Sequence, residues 1–238
     1  MKPWFDTGRL LWPRFACGTV PTAQHEWVRD EFLIFLLASF LLFSCSTSTP
    51  AVTPEVVTVY STSAAQPWLA PLYTCAGSFA VLSRVDNATS ADIILRVGQP
   101  EFLNTPSYQI DMEEISIVTN RQSPVEPLTL EEARALFAGQ GDPSVQVWVY
   151  GPEEDIQAIF DQVVMADRSV TPSARVALNP QQMSDRLVNE SNTVGILPRH
   201  WKAGDVRDVF AVATVPVLAL TNSEPQGVIK ELIACLQK

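Results

Sequence analysis

Three hydroxyl-bearing residues in a row, Ser61-Thr62-Ser63, follow a β-branched run and precede a helical one. Hydroxyls and unpaired backbone N–H groups at such a junction can hold an anion without net positive charge on the protein. The same three residues also suit ordinary helix capping and a polar turn. Arg96, Gly98 and Gln99 close a second β-branched run, and ligands of α/β sheets gather at the carboxyl ends of strands. Arg96 is the available counter-charge for an anion there, and it equally suits a solvated strand end. Asn120, Tyr150 and Gly151 join the candidates by position, at the ends of further runs. Behind Tyr150 stands Gly151-Pro152-Glu153-Glu154-Asp155. Pro152 has no N–H to give. The three carboxylates favour a helix dipole but repel an anion at close range. The segment therefore suits a charged helix start, or an acidic pocket for a cationic or hydroxyl-rich ligand.

Catalysis fits poorly. Beyond residue 44 the one histidine is His200, between Arg199 and Trp201, and no Gly-x-Ser-x-Gly turn accompanies it. A surface histidine is expected. The pairs Glu113-Glu114 and Glu131-Glu132 are adjacent, so their side chains do not face one site. Phosphate-cradling and dinucleotide glycine patterns are missing. So is any Cys-x-x-Cys or Cys/His spacing for zinc, and no metal or cofactor is expected.

The elements that would position these residues alternate. Val56–Tyr60 reads as a strand, and 64–75 as a helix with Pro67 in its first turn. Ala91–Val97 and Ile115–Thr119 read as strands. Thr129 caps a helix that stops at Gly139, with Glu131 and Glu132 in its first turn. A strand over 145–150, a helix over 152–165, a helix over 180–189 and a strand over 193–197 follow. Strands over 209–212 and 215–220 precede a closing helix over 227–236. Such alternation with short links implies an α/β fold.

The N-terminal region reads as an export signal. Phe32–Phe43 is a 12-residue apolar run, short of the roughly 20 residues a bilayer span needs and suited to a signal-peptide core. Leu42-Phe43-Ser44-Cys45 resembles a bacterial lipobox, in which the cysteine is lipidated and becomes the new N-terminus. Ser44 fits that pattern and Phe43 is bulkier than usual. The residues before the run are not a short basic region; a start at Val28 would shorten them. Residues 1–44 are therefore read as a signal with an N-terminal extension, 45–54 as a polar linker and 55–238 as the folded domain. The net charge of −10 and the lack of a basic cluster exclude a nucleic-acid binder. With Cys45 lipidated, Cys75 and Cys235 are the remaining pair, either bridged outside the cytoplasm or left as buried thiols.

In this order the chain resembles type 2 periplasmic binding proteins, on the branch that includes phosphate receptors. The resemblance rests on Val59–Pro67, Ala91–Ile94, Ile115–Phe137 with Leu128–Gly139, Asn192–Pro198 and Val215–Leu220 with the closing helix. It implies two lobes joined by crossing hinge strands, one over about 55–115 and 213–238, the other over about 120–205. It implies a solute, an anion first, held in the cleft by residues such as Ser61, Thr62 and Ser63. The partner would be an ABC-transporter permease, and the location extracytoplasmic, through a lipid anchor in the cell membrane. Phosphate receptors of this branch carry an arginine and a Ser-Gly-Thr cluster where this chain has Gly151–Asp155, which counts against phosphate itself. The rival expectation is a degenerate binding fold, serving as a partner-binding or sensory surface protein without solute transport.

Overall fold

The computed structural model describes residues 54–100, 104–166 and 168–238. The apolar run 32–43, Cys45 and nearly all of the polar linker lie outside the described residues. One eight-stranded mixed sheet organises residues 54–238, in the order β2-β1-β3-β8-β4-β7-β5-β6. Its strands are β1 (Glu55–Ser61), β2 (Ala80–Arg84), β3 (Ile93–Val97), β4 (Ser107–Asn120), β5 (Gln146–Tyr150), β6 (Arg175–Ala177), β7 (Thr193–Pro198) and β8 (Val206–Leu220). Among the described residues five α-helices accompany them: α1 (Leu69–Ala76), α2 (Leu130–Phe137), α3 (Asp155–Phe160), α4 (Pro180–Asn189) and α5 (Gly227–Leu236). Among the described residues no helix is long and apolar enough to cross a membrane.

Two long strands make the sheet continuous. β4 has 14 residues and β8 has 15, and they pair antiparallel along their length, with register shifts at Gln109/Asp111, Ile115/Ser116 and Ile117/Val118. The first half of β4 and the last part of β8 belong with β1, β2 and β3; β8 pairs with β3 through Val217–Leu220. From Ile115 onward β4 also pairs, along its other edge, with β7. Two lobes thus share one pair of strands, which cross between them near Glu113–Ile115 opposite Ala213–Val215.

The core follows from alternation. In β1 and β3 the side chains of Val57, Val59, Ile93, Leu95 and Val97 turn inward and are fully buried, each stabilising the fold by about 1.5–3 kcal/mol. α1 and α5 pack together in this lobe. Cys75 and Cys235 join them by a disulfide, with Cα atoms 5.9 Å apart. In the other lobe Phe137 of α2 packs tilted against Phe160 of α3, ring centroids 4.6 Å apart. α4 packs on β7.

Helix starts follow their caps. The Thr129 side chain accepts from the Glu132 N–H, and the Glu132 carboxylate accepts from the Thr129 N–H at 2.7 Å, a reciprocal capping box. Asn179 accepts from the Gln182 N–H at 2.9 Å at the head of α4, with Pro180 in its first turn.

Several boundaries differ from the expectations. The helix expected over 64–75 begins as a single 3-10 turn at Gln66–Trp68 and becomes α-helical only at Leu69. The helix expected over 152–165 starts at Asp155, because Gly151–Glu154 form a turn, and it widens into a π-helical turn over Asp161–Met165. The two strands expected over 209–212 and 215–220 are one, running through Pro216 opposite Met112. β2 and β6 had no counterpart in the sequence reading.

Candidate functional site

A cleft of about 1030 Å³ opens between the lobes, bordered by Arg96, Gln99, Tyr150, Asp155, Asp161 and Arg168. Its lobe-one wall is the carboxyl end of β3 from Arg96 to Pro100, with the end of β1 beside it, the edge at which α/β sheets present ligands. Its lobe-two wall is the turn after β5 and the first residues of α3.

The lobe-one wall carries donors. The Ser63 hydroxyl donates to the Glu154 carboxylate. The Thr62 N–H donates to the Leu95 carbonyl at 3.0 Å, tying the ends of β1 and β3 together. The Thr62 hydroxyl is buried and approaches Asp155 without the geometry of a formed hydrogen bond. The Ser61 hydroxyl turns back to the Thr62 carbonyl at 2.9 Å. None of the three hydroxyls caps the following helical turn, whose N-terminus has no side-chain cap. No side-chain cap forms, whereas the polar turn does: the Ala65 N–H donates to the Thr62 carbonyl at 3.2 Å.

Arg96 and Asp155 form the centre of the site. The guanidinium lies 2.7 Å from Asp155 Oδ1, and the Val97 N–H donates to Asp155 Oδ2 at 3.1 Å. The Arg96 side chain is 24% exposed, and its guanidinium is engaged by Asp155 in this structure. The Asp155 carboxylate, expected from sequence to repel an anion, sits among the donors of lobe one. Burial pushes the Asp155 carboxyl above its ordinary value of 3.8, despite the opposing pull of Arg96, Thr62 and the Val97 N–H. Burial likewise raises Glu154, opposed by the Ser63 hydrogen bond and reinforced by Asp155 and Glu153. Asp161 is raised by burial, with the Gln157 amide at 2.8 Å working against the shift.

Gly98 lets the walls meet. Its φ is +78°, and a Cβ there would stand 2.7 Å from Ile159 Cδ1 of the opposite lobe. The backbone conformation favours glycine, and a Cβ would also have to push the end of the Ile159 side chain aside. Gln99 is exposed on the cleft rim.

Three candidates are engaged within their own lobe. The Asn120 amide donates to the carbonyls of Leu187 and Val188, at 3.2 and 2.7 Å, and ties the end of β4 to α4. Tyr150 borders the cleft, but its hydroxyl donates to the Ile196 carbonyl at 2.6 Å. Burial first, and then Glu154, raise that hydroxyl well above its ordinary value. The Gly151 carbonyl accepts from the Glu154 N–H at 3.1 Å and closes the turn before α3. Buried polar groups must find partners, and these found backbone within reach.

A second cluster lies at the crossing strands. Glu113, with no exposed surface, faces His200 Nδ1 at 2.7 Å, and the His200 ring tilts against Trp68 with centroids 4.6 Å apart. The Trp201 indole N–H donates to the Ala64 carbonyl of the other lobe at 3.0 Å. The surface histidine expected from sequence is therefore half-exposed and partnered. Glu114 faces the other way, 3.6 Å from Arg199. Among the described residues no group of three His, Cys, Asp or Glu side chains could hold a metal ion.

No protein-family model matches the chain, and no curated protein matches it. Solved structures do. An ABC-type phosphate transport receptor from Vibrio cholerae aligns at 19% identity and a TM-score of 0.57, over 77% of this chain and 94% of that one. A putative phosphate ABC-transporter substrate-binding protein with bound phosphate, from Clostridium perfringens, aligns at 12% identity and 0.66, over 76% and 93%. The regulatory domain of OxyR2 from Vibrio vulnificus aligns at 10% identity and 0.58, over 79% and 98%. At these identities the likeness establishes the fold, which is the two-lobed α/β fold of type 2 periplasmic binding proteins, shared with regulatory domains. These neighbours are binding or regulatory domains rather than enzymes.

Proposed function

We propose that this chain is an extracytoplasmic solute-binding lipoprotein of an ABC-type transporter, and that its solute is a small oxyanion of the phosphate class. The observation that carries this reading is the convergence of the Arg96 guanidinium and the Val97 N–H on one carboxylate between the lobes. Two charge-assisted donors at a strand end, with the Ser63 and Thr62 hydroxyls beside them, form a set suited to an oxyanion. The fold shared with two phosphate-transport proteins supports the same class. Export is supported by the apolar run before Cys45 and by the Cys75–Cys235 disulfide, a bond favoured in oxidising compartments. The lipid on Cys45 would hold the domain at the membrane, beside a permease.

Thermal unfolding of the full chain in detergent against phosphate, sulfate, molybdate, amino acids, sugars and polyamines tests the reading. A ligand at 100 times its dissociation constant adds about 2.7 kcal/mol, so a rise in Tm with one oxyanion is the expected result. A rise only with polyamines would replace it with a cation receptor built on Glu153–Asp155.

One observation favours a second reading. Lobe two places Asp155 in the cleft and Glu154 against Ser63 of lobe one, as a binding fold that has given up solute transport would. The protein would then act as a partner-binding surface lipoprotein, and no solute in the panel would move its Tm.

A further inference from the structure

The contacts across the cleft have a pattern that ordinary lobe packing does not require. Around Arg96 the donors are on lobe one: the Ser63 hydroxyl, the Arg96 guanidinium and the Val97 N–H. Their acceptors are two consecutive carboxylates on lobe two, Glu154 and Asp155; beside the hinge a lobe-two donor, the Trp201 indole N–H, reaches a lobe-one carbonyl instead. The Asp155 carboxylate receives an arginine on one oxygen and a backbone N–H on the other, as a bound oxyanion would. Ile159, one turn further along α3, seats against Gly98 and fixes the approach. A desolvated ion pair is a poor stabiliser compared with apolar packing. Its presence where the fold keeps its ligands therefore points to function.

We infer that Asp155, with Glu154 beside it, is a tethered occupant of the oxyanion-binding groups of lobe one. The lobes close on the protein's own carboxylate, and a solute oxyanion enters by displacing it. This inference rests on the solute-binding reading of the cleft and adds its regulation. The apparent affinity of such a site falls by the fraction of molecules in which the tether has let go. A cleft latched in about 99% of molecules binds its solute about 100-fold more weakly than the same donors would unlatched. Selectivity follows as well, because a solute must offer Arg96 and Val97 more than a carboxylate does.

The backbone supplies a direct reporter. The Val97 N–H is bonded across the cleft to Asp155, whereas the neighbouring Gly98 N–H is bonded within lobe one to the Pro216 carbonyl at 2.8 Å. Amide hydrogen exchange at these two positions, with equilibrium dialysis against radiolabelled inorganic phosphate, is measured on the full chain in detergent. Wild type is compared with D155A and D155N, each with and without E154Q. In D155A, Val97 exchange should accelerate at least tenfold relative to Gly98, and phosphate binding should tighten at least tenfold. D155N keeps an acceptor but loses the charge, so it should fall between; it carries the test if D155A does not fold. Accelerated Val97 exchange with no phosphate binding in any variant supports the latch and overturns phosphate as the solute. Wild-type Val97 protection in every variant, or phosphate bound equally tightly by wild type and D155A, overturns the latch whatever the solute.

Discussion

His200 Nδ1 lies 2.7 Å from Oε2 of Glu113, a carboxylate with no solvent exposure at the point where the two long strands cross between lobes. The other Glu113 oxygen accepts from the Glu114 N–H at 3.1 Å. One imidazole from lobe two thus satisfies a hinge carboxylate while resting on Trp68 of lobe one. H200A leaves that carboxylate short of a partner, and such orphaning costs about 1–3 kcal/mol. Adding E113Q to H200A should recover part of the loss, because the buried charge goes with it. Urea denaturation of the four members of the cycle reads the result; strictly additive losses would mean that the two groups do not interact.

Mild acid should stabilise the protein. Asp155, Glu154 and Asp161 are all raised, each chiefly by burial. A raised carboxylate contributes stability that is fully present below its unfolded value and is lost as pH rises through its folded value. Glu132 and Asp142 act oppositely, lowered by hydrogen bonds from Thr129 and Ser144 respectively, so their contribution is lost as pH falls below the ordinary carboxylate range. Tm at constant ionic strength should therefore climb as pH falls through the raised values of these three groups, and turn over near the ordinary carboxylate values of 3.8–4.5. E154Q/D155N should flatten the climb. A Tm that rises from pH 5 to pH 8 would contradict the burial of these groups.

Reduction should uncouple α1 from α5. The Cys75–Cys235 bridge spans 160 residues of sequence, and loss of a native disulfide typically costs about 2–5 kcal/mol. C75S/C235S should lose stability in that range and become insensitive to dithiothreitol. Equal melting of oxidised and reduced wild type would show that the bridge constrains nothing.

Gly98→Ala should act on both lobes. The positive φ and the contact with Ile159 together cost about 1–3 kcal/mol. Pairing it with I159A relieves the collision but not the backbone strain, so the double variant should recover part of its cleft protection at Val97. If G98A unfolds like wild type in guanidinium, the lobes do not meet at this point.

Much of the fold was legible where local chemistry decides. α4 and α5 begin and end where sequence places them, because Asn179-Pro180 starts one and Gly227 the other. Elements that depend on distant partners were not. β2 and β6 are edge strands of five and three residues, too short for a pattern of their own. The first half of β4 hid behind outward-facing Gln109, Asp111 and Glu114, and β8 looked broken at Pro216, whose missing N–H the sheet tolerates there. At the site, Arg96 and the hydroxyls were visible as strand-end residues. The role of Asp155 was not, since its partner is 59 residues away and is chosen by how the lobes dock. Asn120 and Tyr150 looked available because sequence shows a polar group and not the carbonyl beside it.

The crossing of β4 and β8 also sets an order of assembly during synthesis. Every strand and helix of lobe two lies within one unbroken stretch of chain, from the middle of β4 to the first part of β8. Lobe one is split, because β3 must wait for the end of β8 to reach it from the C-terminus, and α1 must wait for α5. Contacts so distant along the chain form slowly. The half that carries Arg96 is therefore completed last, after the carboxylates that will occupy it are already in place.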